Sequence, residues 1–222
     1  MEAKKLAGEK AVEFVNDDMI VGLGTGSTVY WSILKLGELV KQGLNIKGVP
    51  TSKQTEQLAK ELGIPLVNLS SIEQIDITID GADETNPEFE LIKGGGGALL
   101  REKMVASISK RMIVVMDETK YVASLGKFPL PVEVTQFGWE VTSKQVGTLG
   151  CEPKLRVKNN LPFITDNGNY ILDCYFGKIH DAMELTQKLN MIPGVVENGL
   201  FVNIADSMVI GNGDGHVEIL HK

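Results

Sequence analysis

With 222 residues, the chain has room for one large domain, or for a medium one with a smaller companion. Hydrophobic residues make up 43% and charged residues 23%, which excludes a disordered chain, and no apolar run approaches the ~20 residues that would span a bilayer. A formal net charge of −7 argues against general attraction to nucleic acid, and the two cysteines, Cys151 and Cys174, build neither a disulfide framework nor a zinc site. The N-terminus MEAKKLAGEKAVEFV scatters charge through its length and has no apolar signal core, so a cytoplasmic location is expected.

Read in chain order, Leu6, Ala7, Ala11, Phe14 and Val15 recur at helical spacing, and Met19 to Leu23 forms a short apolar strand. After Gly-Thr-Gly-Ser-Thr, a second helical pattern carries Val29, Ile33, Leu36 and Val40. Strands are expected at Ile46–Val49, Pro65–Val67, Ile75–Ile79 and Met112–Met116, and helices at Lys53–Leu62 and Gly97–Ile108. Short apolar strands alternating with helices predict a parallel sheet covered on both faces. Phe128-Pro-Leu-Pro breaks this alternation and suits a hinge. Beyond it, Phe163–Thr165 and Tyr170–Cys174 flank Asp166-Asn-Gly-Asn169, a hairpin signal. A helix with Met183, Leu185 and Leu189 and an apolar run at Val195–Ile204 complete a small α+β domain over residues 128–203. Met208–Gly211 and Val217–Leu220 are expected to return to the first sheet, so that residues 1–127 and 204–222 form the larger domain.

Three clusters carry chemistry. Gly22-Leu-Gly-Thr-Gly-Ser-Thr28 sits between a strand and a helix, where glycines admit a ligand to the backbone and the helix amides favour an anion. It lacks the lysine of a Walker loop and the third glycine of the dinucleotide fingerprint, and a tight turn with an N-cap serine is the plainer reading. Asp80-Gly-Ala-Asp-Glu84 crowds three acids at the end of a buried strand, where ligands bind in open α/β sheets; magnesium is conceivable, but the spacing is not an EF-hand loop. Lys93-Gly-Gly-Gly-Gly97 runs into a helix that places Glu102 in its first turns. Four glycines are costly to order, so a mere linker explains them poorly; their amides with Lys93 offer an oxyanion nest. Glu102 taken alone is an ordinary helix-surface acid, and its glycine neighbours shift the reading toward function. Arg101 and Lys103 read as solvated surface charges. His180, His216 and His221 are scattered and show no metal-ligand spacing.

These clusters, with DETKYVASLGKFPLPVEV at 117–134, ITDNGNYILD at 164–173 and IPGVVENGLF at 192–201, resemble the ribose-5-phosphate isomerases of the A type over nearly the whole chain. The segment Tyr175–His180 is less typical of that family and lies away from the motifs. The resemblance implies a Rossmann-like domain with a smaller ferredoxin-like α+β domain, a homodimer or homotetramer, and no cofactor or metal. It implies aldose–ketose isomerisation with Glu102 as general base. It places the substrate, a sugar phosphate, against Thr25, Gly26, Ser27, Thr28, Asp80, Gly81, Ala82, Asp83, Lys93, Gly94, Gly95, Gly96 and Lys120, with Lys4 as a further phosphate contact. Rival readings are an amino-sugar phosphate deaminase, a coenzyme A transferase-like enzyme, and a sugar-phosphate sensor domain that binds without turnover. The deaminase wants a histidine among its acids, and a transcriptional sensor wants a helix-turn-helix for which the chain has no room.

Overall fold

A computed structural model describes residues 1–222. In chain order the elements are α1 (Glu2–Ala11), β1 (Ile20–Leu23), α2 (Val29–Lys41), β2 (Lys47–Pro50), α3 (Lys53–Leu62), β3 (Ile77–Gly81), β4 (Glu84–Thr85), β5 (Leu91–Ile92), α4 (Leu99–Ser107) and β6 (Met112–Asp117). Next come β7 (Leu130–Val134), α5 (Trp139–Gly147), β8 (Glu152–Leu155), β9 (Val157–Lys158), β10 (Leu161–Pro162) and β11 (Tyr170–Tyr175). The chain finishes with α6 (Ala182–Asn190), β12 (Val195–Asn198), β13 (Leu200–Phe201), β14 (Ser207–Gly211) and β15 (Val217–His221). Two units divide these elements. The first comprises Met1–Ala82, Arg101–Tyr121 and Ile204–Lys222; the second comprises Asp83–Leu100 and Val122–Asn203.

The first unit is built on a six-stranded sheet of order β15-β14-β6-β3-β1-β2. All its pairs are parallel except β14 with β15, which form an antiparallel edge. Side chains alternate between the faces. Val21, Leu23, Ile77, Ile79, Ile113 and Val115 pack with Ala7, Ile33, Leu36 and Ala59 of α1, α2 and α3. Val49 and Ile75 pack instead with Val105 of α4, so the sheet is covered on both sides, as the alternation of strands and helices requires. Pro65–Val67 does not become a strand. Leu66 makes a single bridge to Gly48, and Pro65, having no N–H, can only accept from Gly48 (2.7 Å).

The second unit holds an antiparallel sheet of order β12-β7-β11-β8 with α5 and α6, and a small sheet of order β13-β5-β4. Val132, Val134, Leu172, Cys174, Val146 and Leu189 form its core. The proline stretch that reads as a break runs directly into the buried strand β7, which takes in its last two residues, Leu130 and Pro131. Pro131 is tolerated because the β12 ladder ends at Val132, and beyond it the Pro131 carbonyl accepts from Gly199 (2.8 Å), which needs no proline N–H. The hairpin expectation is half right. The turn exists, with Thr165 N–H donating to Asn169 O (2.9 Å) and Gly168 at φ +82°. Phe163–Thr165 is not a strand, however, and β11 pairs with β7 and β8 instead. The turn is tied down by the buried Glu133 of β7, whose Oε1 accepts from Thr165 Oγ1 and Asn169 Nδ2, each at 2.9 Å.

Candidate active site

In the first unit, the loop between β1 and α2 is shaped by Asp80 at the C-terminal end of β3. Asp80 is fully buried, and its Oδ1 accepts from the backbone N–H of Thr25 (3.0 Å) and of Gly81 (2.8 Å). A Cβ on Gly24 would lie 2.2 Å from that same oxygen, so only glycine fits beside the carboxylate. Asp80 therefore organises the Gly-rich loop from beneath, a role its acidic turn alone does not announce. Ala82 is half-buried beyond Gly81.

Thr25 does not point outward. Its Oγ1 lies 2.8 Å from both Thr51 Oγ1 and Ser52 Oγ, and 3.2 Å from Thr55 Oγ1. Thr51 and Thr55 in turn donate to the carbonyls of Leu23 (3.0 Å) and Gly24 (2.8 Å). This cluster of hydroxyls was not singled out from the sequence; the available signal was Thr-Ser-x-x-Thr directly after β2, the parallel neighbour of β1. Gly26 and Ser27 are exposed, Gly26 at φ +133°, and Thr28 is buried at the start of α2. The amides of that first helical turn carry the partial positive charge of the helix end. Lys4 Nζ donates to Ser27 Oγ (3.0 Å) and stands 3.8 Å from Asp117 Oδ2. Lys120, half-buried, follows β6 at the same C-terminal edge of the sheet.

Glu102 is no surface acid. It is 4% exposed and shares the buried stripe of α4 with Val105 and Ala106, three and four residues on. That stripe faces the sheet: a Cβ on Gly22 would meet both Val105 Cγ1 and Thr78 Oγ1, and Asp80 projects from β3 on the same side as Thr78. Arg101 and Lys103 are half-buried rather than solvated. Arg101 adds its charge near Glu56, whose carboxyl is held below its ordinary value chiefly by the hydrogen bond from Lys60.

In the second unit, Asp83 N–H donates to Ile92 O (2.8 Å) and Lys93 N–H to Gly199 O (2.8 Å), so the small sheet fixes both residues. Lys93 is 2% exposed, with Nζ 5.4 Å from the Phe201 ring centroid. Gly94 and Gly97 take φ +102° and +82°, and Gly97 N–H closes a turn onto Gly94 O (2.9 Å). The turn leaves Gly95 and Gly96 exposed, and Gly95 N–H donates to Asp83 Oδ2 (2.7 Å). A Cβ on Gly97 would lie 2.5 Å from the Phe163 ring.

The structure thus joins Thr25, Gly81 and Asp80 within one unit, and Asp83, Lys93 and the glycine run within the other. The first unit by itself can hold an anion at a glycine-rich helix start and carries a buried carboxylate suited to proton transfer; the second by itself offers backbone donors suited to an oxyanion. No group of three His, Cys, Asp or Glu side chains is arranged to hold a metal ion.

Comparison with known proteins points the same way. Residues 47–215 match the family model of ribose 5-phosphate isomerase A (phosphoriboisomerase A). A ribose-5-phosphate isomerase A of Bacillus mycoides is 56% identical over 216 residues, 97% of this chain and 98% of the relative. The ribose 5-phosphate isomerase of Plasmodium falciparum superposes with a TM-score of 0.97 at 42% identity, over 100% of this chain and 99% of that one. A D-ribose-5-phosphate isomerase solved with phospho-erythronic acid superposes with a TM-score of 0.96 at 43% identity, over 100% and 98%. Family match, full-length identity and shared architecture agree with the loop, the acids and the glycine run: this chain belongs to the ribose 5-phosphate isomerase A family.

Proposed function

We propose that this chain interconverts D-ribose 5-phosphate and D-ribulose 5-phosphate by moving one proton between carbons 1 and 2, with Glu102 as the base. The observation that carries the assignment is the burial of Glu102 on the sheet-facing stripe of α4. A carboxylate held in one place on a packed helix face can take up and give back a proton in a fixed direction, and a positioned general base contributes ~10²–10⁴-fold. The species between the two sugars is an enediolate, with negative charge on an oxygen that began as a carbonyl. The amides of Gly94–Gly96 and the Lys93 ammonium are the donors for that oxygen, each such donor being worth about 3–4 kcal/mol in comparable sites. Asp80 and Asp83 receive sugar hydroxyls, and one of them shuttles the proton that opens the furanose ring. Gly26, Ser27, Thr28, Lys120 and Lys4 hold the phosphate, with Thr25 buttressing their loop.

The reading extends to assembly and place. The second unit exposes Phe137 (95%), Leu161, Val157 and Val141, which supports a homodimer or homotetramer, and the likeness to a bacterial ribose-5-phosphate isomerase A supports work in the cytoplasm. Light scattering of the purified chain measures the former.

Glu102→Gln tests the mechanism. Glutamine keeps the shape of the side chain but cannot accept the carbon-2 proton, so kcat is expected to fall at least ~10²-fold with little change in substrate affinity. In heavy water, the parent chain is expected to wash deuterium into the sugar and the variant not to. Near-normal kcat and exchange in Glu102→Gln would move the base to Asp80 or Asp83.

A further inference from the structure

The glycine run has a second side. Its amides are the proposed donors, but its carbonyls are held by a residue that no motif marks. Arg156, in the link between β8 and β9, donates from Nη1 to Gly94 O (2.8 Å) and to Gly95 O (3.1 Å). The rest of its guanidinium is engaged by Asp173 of β11, with Nε donating to Oδ2 (2.9 Å) and Nη2 donating to Oδ1. The fork is anchored by its own backbone, since Arg156 N–H donates to Ile171 O (2.8 Å) and Arg156 O accepts from Phe163 N–H (2.8 Å). The Phe163 ring lies under the guanidinium at 5.8 Å, and that ring is also what crowds Gly97. Arginine suits this place because one planar group serves a carboxylate and two carbonyls together.

We infer that the Arg156–Asp173 pair is a positioning device that aims the amides of Gly95 and Gly96 at the oxygen of the reacting carbon. In a trans peptide the N–H points opposite to the C=O. Holding the carbonyls of Gly94 and Gly95 on the guanidinium therefore turns the N–H groups of Gly95 and Gly96 the other way, and Gly95 N–H is found there on Asp83. Glycine peptides flip at little steric cost, and a flipped peptide presents a carbonyl oxygen where the enediolate needs a donor. Arg156 removes that freedom, and its charge behind the carbonyls polarises the same peptides in the direction that strengthens their N–H donors.

The inference rests on the role proposed above for the glycine run, and the experiment separates the two. Turnover of ribose 5-phosphate is measured for the parent chain, Arg156→Ala, Arg156→Lys and Asp173→Asn, together with inhibition by phospho-erythronic acid and by inorganic phosphate. Phospho-erythronic acid presents a carboxylate oxygen where the reacting oxygen develops charge, whereas phosphate does not. Arg156→Ala is expected to lower kcat roughly 10- to 100-fold, as misaimed groups do, and to weaken phospho-erythronic acid in proportion. KM and phosphate inhibition are expected to stay within about 3-fold, because ground-state and phosphate contacts are made elsewhere. Lysine keeps the charge but cannot span Asp173 and two carbonyls, so it restores only part of the loss. It also carries the test, with Asp173→Asn, if the alanine variant does not fold. An Arg156→Ala chain, or a folded Arg156→Lys and Asp173→Asn pair, with parental kcat would overturn the inference. So would equal weakening of phosphate and phospho-erythronic acid, the mark of a loosened fold. A parent chain that does not turn over ribose 5-phosphate or is not inhibited by phospho-erythronic acid would instead overturn the reading of the glycine run, and this inference with it.

Discussion

Ser27 is exposed yet ordered, its hydroxyl held 3.0 Å from Lys4 Nζ beside an open glycine at position 26. A hydroxyl and an ammonium presented this way at a helix start form a ready contact for phosphate before any bond to carbon changes. Lys120→Ala is accordingly expected to raise KM about 10-fold, corresponding to ~1.5 kcal/mol, the lower end for a hydrogen bond to a charged group. Ser27→Ala is expected to raise it less, and neither to change kcat comparably. Steady-state kinetics on both variants checks this; unchanged KM in both would remove the loop from the phosphate site. At this scale the sequence spoke clearly about which residue types gather, and less clearly about direction. Glu102 taken alone read as a surface acid, and its glycine neighbours with Lys93 had to shift that reading toward function, because a single helical turn shows a periodicity but not which stripe meets the sheet. The Thr51, Ser52 and Thr55 hydroxyls offered only the Thr-Ser-x-x-Thr spacing, which does not point to Thr25, their partner 26 to 30 residues away. Arg156 was silent for the same reason, its ligands Gly94 and Gly95 lying 62 and 61 residues earlier.

Elements with local signals were legible. α3 spans Lys53–Leu62 as read, because Ser52 caps it by accepting from Thr55 N–H (3.1 Å) and Gly63 ends it at φ +78°. β4, β5 and β13 were not legible: each is two residues long, and β13 meets β5 from more than a hundred residues away. The turn before β3 carries a pH-dependent joint. Asp76 accepts from Lys110 Nζ (2.7 Å) and from Ile20 N–H (2.9 Å), which hold its carboxyl below its ordinary value, the lysine contributing most. A carboxyl lowered on folding stabilises the native state above its unfolded value of about 3.9, and that contribution fades as pH falls through the lower folded value. Asp76→Asn is therefore expected to be less stable than the parent at pH 7, with the gap narrowing below about pH 4. Urea unfolding midpoints at pH 7 and pH 3 measure it. A gap that stays constant would show that Asp76 acts by shape and not by charge.

Taken whole, the molecule is acidic, with 29 carboxylates against 22 lysines and arginines, yet its expected substrate is an anion. The attraction must therefore be local, and short-ranged at physiological salt, where charges are screened within about 8 Å. Its three histidines and two cysteines form no cluster with the acids. Turnover is accordingly expected to survive exhaustive treatment with EDTA; loss restored by added metal would require a metal-assisted route. The order of the six-stranded sheet has a consequence for biogenesis. Its two central strands, β6 and β3, are made early, but β14, which completes the other side of β6, is translated after the entire second unit. Until that strand emerges, the nascent chain carries β6 as a long apolar edge, Met112-Ile-Val-Val-Met116, with its backbone donors and acceptors unmatched on one side. Folding of the first unit is thus held open across the synthesis of the second, and the emergence of β14, more than any early hydrophobic collapse, sets when the sheet closes. A chain halted at residue 203 should accumulate as aggregate, while the same chain supplied in trans with residues 204–222 should regain solubility as the missing strand zips onto β6.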